Sequence, residues 1–139
     1  MFSYTAIALL GLVLWTLLLL VWMETLRSKL VISGAIASNQ FQPDNGNLSP
    51  FMQRLARAHA NCVENLPIFA SLMLLAISTE SHFITDSLAM WLLLSRFGQS
   101  CIHLVSLSVW AVNLRFSLFV VQVAIALYWT INLLIHFHQ

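Results

Sequence analysis

Charge is what this chain has least of. Its 139 residues include six lysines and arginines and five acids, so 8% are charged against 60% hydrophobic. A soluble domain carries about a quarter charged residues, and so small a supply excludes a water-soluble surface. The formal net charge of +1, with no basic tail, excludes a nucleic-acid-binding arm. Cysteine is scarce as well. Cys62 and Cys101 lie in apolar stretches without CxxC spacing or a nearby second ligand. They read as reduced packing residues, with a disulfide or a redox role as the alternative. Internal repeats and low-complexity tracts are missing too.

What is present is apolar length. Phe2 to Met23 is an uncharged run of 22 residues. A cleaved signal peptide needs a positive start, a shorter core and a small-residue cleavage site. This run has no basic residue before it and ends in Trp22-Met23-Glu24, so a retained span is expected. Single-domain organisation over residues 1–139 is expected, with spans at about 3–26, 51–79, 86–109 and 115–137. Ser49 and Pro50 suit the cap and first position of the second helix. Its charge-free part, Asn65 to Thr79, has only 15 residues, too few to cross a bilayer. That helix must therefore start outside the hydrocarbon and carry Glu64 into or near it, with a kink at Pro67.

The fold class that follows is an all-α integral membrane protein, a four-transmembrane-helix bundle with antiparallel, up-down helices. One sizeable loop, residues 33–49, is turn-rich through Pro43-Asp44-Asn45-Gly46-Asn47 and expected to be mobile. Arg27, Lys29, Arg54 and Arg57 flank it, and Arg115 belongs to the third loop. The second loop has Glu80 and Asp86 but no lysine or arginine, and the C-terminus has neither. The positive-inside rule then places loops one and three in the cytoplasm and both termini outside.

Two polar stripes interrupt the apolar pattern. Arg54, Arg57, Asn61 and Glu64 follow spacings of three, four and three, which keeps them on one helix face. Arg96, Gln99, Ser100 and His103 form a second such stripe on the third span. Charges at this depth cost several kcal/mol, about 3 on insertion scales, unless paired or wetted. Glu64 and Arg96 are thus expected to face inward, towards each other or a water-filled cleft. With Arg27 and Arg115 they outline a basic pocket open to the cytoplasm. Several arginines with one asparagine and one glutamate suit a ligand bearing two carboxylates and an ammonium. The same pattern also fits a structural ion pair, lipid-phosphate binding or a conduction path. His59, His82, His136 and His138 are expected at the interfaces, and their scatter suggests no metal site. The five tryptophans divide between packing and the aromatic belts.

The stretch RLARAHANCVENLPIF, Arg54 to Phe69, resembles the signature of the MAPEG family, membrane-associated proteins in eicosanoid and glutathione metabolism. Arg57, Asn61, Glu64 and Pro67 fill its core pattern, and Arg96 and Arg115 match further positions. The resemblance covers essentially the whole chain and looks like a bacterial-type, microsomal glutathione transferase-like member of the inner membrane. It implies a homotrimer with glutathione, as co-substrate, bound between subunits near the cytoplasmic face. Arg27, Arg57, Asn61, Glu64, Arg96, Gln99 and His103 would bind it, and Arg115 would steady its thiolate. His103 and Phe119 stand where many members carry tyrosines, and Ala60 where some carry a basic residue. The Arg96 to Arg115 spacing is a few residues longer than in some relatives. The expected partners are glutathione, a lipophilic small-molecule substrate and membrane lipid. The expected function is glutathione-dependent attack on a lipophilic electrophile. The rivals are a non-catalytic lipid- or partner-binding relative, and a small transporter or proton path using Glu64, Arg96 and His103, which no repeat supports.

Overall fold

Four long helices account for most of the chain in this computed structural model, which describes residues 3–139. They are α1 (Tyr4–Ile32), α2 (Pro50–Ser78), α3 (Asp86–Val105) and α4 (Val109–His138), with a short 3-10 turn at His82–Ile84 before α3. The Phe2 start of the uncharged run and the first two positions of the 1–139 domain lie outside the described residues. Each helix is long and apolar enough to cross a membrane. Their outward faces carry Leu10, Leu14, Leu17, Leu94, Leu127 and Leu134, all exposed. Water would not tolerate so much apolar surface, but lipid does. The chain is an integral, multi-pass membrane protein.

Local chemistry sets the helix ends. Ser3 Oγ accepts from Thr5 N, Ser49 Oγ from Met52 N and Ser108 Oγ from Ala111 N, each capping a first-turn amide that has no partner within its helix. Pro50 opens α2 and the helix runs unbroken through Pro67. At the end of α1, Gly34 N donates to Val31 O and Ala35 N to Leu30 O, with Gly34 at φ 74°. The end of α2 repeats this geometry with Glu80 at φ 57°, where Glu80 N donates to Ile77 O and Ser81 N to Ala76 O. Both are Schellman terminations, and the second places a side-chain-bearing residue in the left-handed region.

Helices α1 and α4 outrun the expected spans, α2 matches its span and α3 falls short. Helix α1 continues to Ile32, and α3 stops at Val105 so that α4 can begin at Val109. Only Ser106–Ser108 separate them, since Ser106 turns extended and Ser108 caps the next helix. Arg115 therefore lies in the second turn of α4.

Two apolar clusters fill the interior. One joins Ala8 and Leu12 of α1, Phe69 and Met73 of α2, Leu92 of α3 and Trp129 of α4. The other joins Leu19 and Met23 of α1 to Leu55, Ala58 and Cys62 of α2. On α3 and α4 a buried polar block follows the first cluster: Ser95, Arg96, Gln99, Ser100 and Gln122. At one end, the Asp86 carboxylate ties α1 to α3, accepting from Ser3 Oγ, Thr5 Oγ1 and Thr5 N.

The long loop is not free along its length. Asn45, in the left-handed region at φ 55°, is fully buried. Its Nδ2 donates to Met52 O at 2.8 Å and its Oδ1 accepts from Arg27 Nε at 2.9 Å. This clamps the end of α1 to the start of α2. Both cysteines are free, and Cys62 Sγ lies 3.2 Å from Ser100 Oγ.

Candidate functional site

A stripe with spacings of three, four and three does not point in one direction only. At 100° per residue, Arg57 and Glu64 sit about 40° and about 60° to one side of Asn61, whereas Arg54 sits about 20° to the other. That small difference decides their surroundings. Arg54 and Asn61 are half-buried against α3, while Arg57 and Glu64 are exposed on the far side of α2. Arg54 Nε donates to Leu104 O at 2.9 Å. It thereby satisfies a last-turn carbonyl of α3 and places a cation at that helix's negative end.

Arg96 is the centre of the buried block, with 2% of its surface exposed. Its Nη1 donates to Asn61 Oδ1 and, at 3.1 Å, to Gln99 Oε1. Gln99 Oε1 also accepts from Gln122 Nε2 of α4 at 3.0 Å. Helices α3 and α4 thus meet at one amide oxygen, and Asn61 joins α2 to them through Arg96 Nη1. The Arg96 guanidinium also lies over the Phe69 ring, 5.4 Å from its centroid, a cation–π contact. Among the described residues, its Nη2 and the Gln122 Oε1 have no hydrogen-bond partner.

The expected inward pairing of Glu64 with Arg96 is not made. Glu64 turns outward with α2's exposed face, and Asn61 takes its place at the guanidinium. The buried charge on Arg96 meets neutral acceptors and an aromatic face. Among the described residues the ion pairs are Arg27 with Glu24 and His82 with Asp86, so Arg57, Arg96 and Arg115 have no carboxylate partner.

One helix turn along α3 from Ser100, His103 meets Arg115 across the Ser106–Ser108 connection, Arg115 Nη1 donating to His103 Nδ1. Arg96 stands seven residues before His103, two turns along the same face of α3. The structure therefore gathers Asn61, Arg96, Gln99, His103 and Arg115 into one neighbourhood. Arg57 and Glu64 flank it on the outer face of α2.

Arg27 is differently employed. Its Nη1 donates to Glu24 at 3.1 Å, and its Nη2 donates to Gln42 O at 3.1 Å and to Asn45. It borders a cavity of about 500 Å³ lined by Glu24, Ser28, Ile32, Ser38 and Phe41, which shares no wall with the Arg96–His103 group. An apolar groove of about 260 Å³ runs between α2 and α4, lined by Phe69, Phe119, Val123, Ala126 and Leu127.

Gln122 gives little sequence signal because the residues three and four positions away, Leu118, Phe119, Ile125 and Ala126, are all apolar. Asn45 was masked by its turn-forming neighbours.

The MAPEG family profile matches residues 5–135. No curated protein matches the chain, and no solved structure does.

Proposed function

Since the chain belongs to the MAPEG family, we propose that it is a glutathione-dependent membrane enzyme acting on a lipophilic electrophile. The family includes glutathione transferase-like and non-catalytic members. The observation that carries the enzymatic reading is that Arg96 and Arg115, gathered by α3 and α4, and Arg57 on the adjoining outer face of α2 have no carboxylate partner among the described residues. Positive charge short of counter-charge, with Arg96 Nη2 lacking an acceptor, suits an anionic ligand. Glutathione brings two carboxylates, an ammonium and an ionisable thiol. In this reading Arg57, Arg96, Asn61 and Gln99 receive the carboxylates and amides, and exposed Glu64 accepts from the ammonium. Arg27 reaches the ligand only by giving up loop contacts. Arg115 stabilises the thiolate, which nearby positive charge favours over the thiol.

The exposed face of α2 supports assembly. Arg57, Ala60, Glu64, Pro67, Ser71 and Leu74 repeat at spacings of three and four and face away from the chain's own bundle. A carboxylate midway along a membrane helix, as Glu64 is, is costly against lipid, and small residues let helices approach closely. A second and a third copy, as an up-down homotrimer, would cover this stripe and close the pocket. The termini then lie outside the cytoplasm, with loops one and three inside, in a bacterial inner membrane.

Chemistry would proceed by direct displacement. The thiol gives its proton to water, the sulfur forms a bond to the electrophilic carbon, and the leaving group departs with its electron pair. Arginine charge stabilises the thiolate, and the pocket holds it near a substrate arriving from the lipid. The α2–α4 groove is apolar enough to receive such a substrate.

The test uses purified protein in detergent. Glutathione should raise the thermal transition, glutathione with esterified carboxylates should not, and Arg57→Ala should abolish the effect. Conjugation of a generic aryl halide should fall at least about tenfold in Arg115→Ala. No thermal response to glutathione would sink this reading in favour of a non-catalytic lipid- or partner-binding role.

A further inference from the structure

Arg115 has a single side-chain hydrogen bond among the described residues, and it is made to an imidazole nitrogen. A guanidinium has donors only. His103 Nδ1 must therefore accept, so the ring is neutral and its proton sits on Nε2. The alternative tautomer would set N–H against N–H. The protonated ring would set a second cation directly against Arg115, two turns along α3 from the buried Arg96 guanidinium.

We propose that His103 is a positioning residue: its Nδ1 holds the Arg115 guanidinium across the α3–α4 connection, and the tautomer this enforces leaves Nε2–H as a second donor beside Arg115. An unheld arginine side chain has about 2 kcal/mol of rotamer entropy to lose on binding an anion. Here the acceptor on α3 removes part of that cost in advance. The connection between the helices is only Ser106–Ser108, so the two residues sit on elements whose spacing scarcely varies. The anion at this end of the bundle would meet the remaining N–H groups of Arg115 together with the imidazole N–H. That role extends the glutathione reading and rests on it only where the ligand is a thiolate. The His103–Arg115 pairing itself does not.

Two measurements test this. The first needs no ligand. Protein labelled with nitrogen-15 at histidine should show, at neutral pH, a His103 ring protonated at Nε2 and bare at Nδ1, assigned by its loss in His103→Asn. Arg115→Leu should move it towards a tautomer mixture. A ring protonated at Nδ1, or at both nitrogens, overturns the proposal. The second reads the ultraviolet absorbance of bound glutathione thiolate. His103→Leu should lower the thiolate fraction about tenfold, the usual scale for a lost bond to a charged group. His103→Asn, whose Oδ1 replaces the Nδ1 acceptor, should recover most of that loss. The His103→Leu/Arg115→Leu double variant should be no worse than Arg115→Leu alone. Independent, multiplying losses would overturn the coupling, as would equal losses in the Leu and Asn variants. If wild-type protein binds no glutathione, the enzymatic reading fails separately and the tautomer alone decides the His103–Arg115 pair.

Discussion

Gln99 and Gln122 are the same residue type in the same buried layer, yet they should respond oppositely to mutation. The Gln99 Oε1 accepts from both Arg96 and Gln122. Gln99→Leu would strip an acceptor from a buried guanidinium and orphan the Gln122 amide, at a cost of about 2–3 kcal/mol. Gln122 supplies one donor and keeps an oxygen with no partner. Gln122→Leu removes that unmet oxygen along with the bond and should change stability by less than about 1 kcal/mol. Detergent-denaturation midpoints of the two variants would check the contrast. Equal destabilisation would mean that the shared amide oxygen is not the hub of the layer. Arg96 explains why such a layer persists in an apolar bundle, since its charge cannot be left without acceptors. Asn61 and Gln99 provide them from two helices.

At the scale of the element, the helix terminations carry a prediction that contacts alone would miss. A Cβ on Gly34 would meet nothing within 4 Å, so space does not require glycine there. Its φ of 74° does. Gly34→Ala should cost about 1 kcal/mol purely through backbone conformation. Glu80 occupies the equivalent position after α2 at φ 57° and is exposed. Glu80→Gly should then stabilise by about the same amount. Thermal unfolding of both variants in one detergent would test the pair, and shifts of the same sign would contradict it. The long loop shows the same principle of local economy. Asparagine tolerates the left-handed region better than most residues, so Asn45 can adopt that backbone while its amide bridges Arg27 and Met52.

For the whole molecule, the question is what covers the outer face of α2. Arg57 and Glu64 are exposed there beside Ala60, Pro67 and Ser71. In the proposed homotrimer Ala60 sits in the subunit contact, where a large side chain cannot fit. Ala60→Trp should shift the native mass distribution from trimer to monomer, while helical content stays unchanged because the residue faces away from its own core. Wild-type protein that runs as a monomer in several mild detergents would count against the assembly. The same variant should lose most glutathione stabilisation if the pocket needs a neighbouring subunit.

Membrane residence, four helices, the Ser49–Pro50 start of α2 and the family were all legible in the amino-acid order. Apolar run length, a Ser-Pro cap and a motif with fixed spacing are properties of short stretches, and short stretches reveal them. The polar residues worth attention could be chosen the same way, since charge inside an apolar run is conspicuous. Their partners could not. Whether Asn61 or Glu64 meets Arg96 depends on a rotation of α2 of about 60°, which only packing against α1 and α3 sets. Gln122 reaches Gln99, and His103 reaches Arg115, because the Ser106–Ser108 connection fixes how α4 returns beside α3. Arg27 turns to Asn45 rather than to the other arginines because the loop folds back to meet it. Periodicity says which residues share a face; the register and rotation between helices, decided by tertiary packing, say which of them touch.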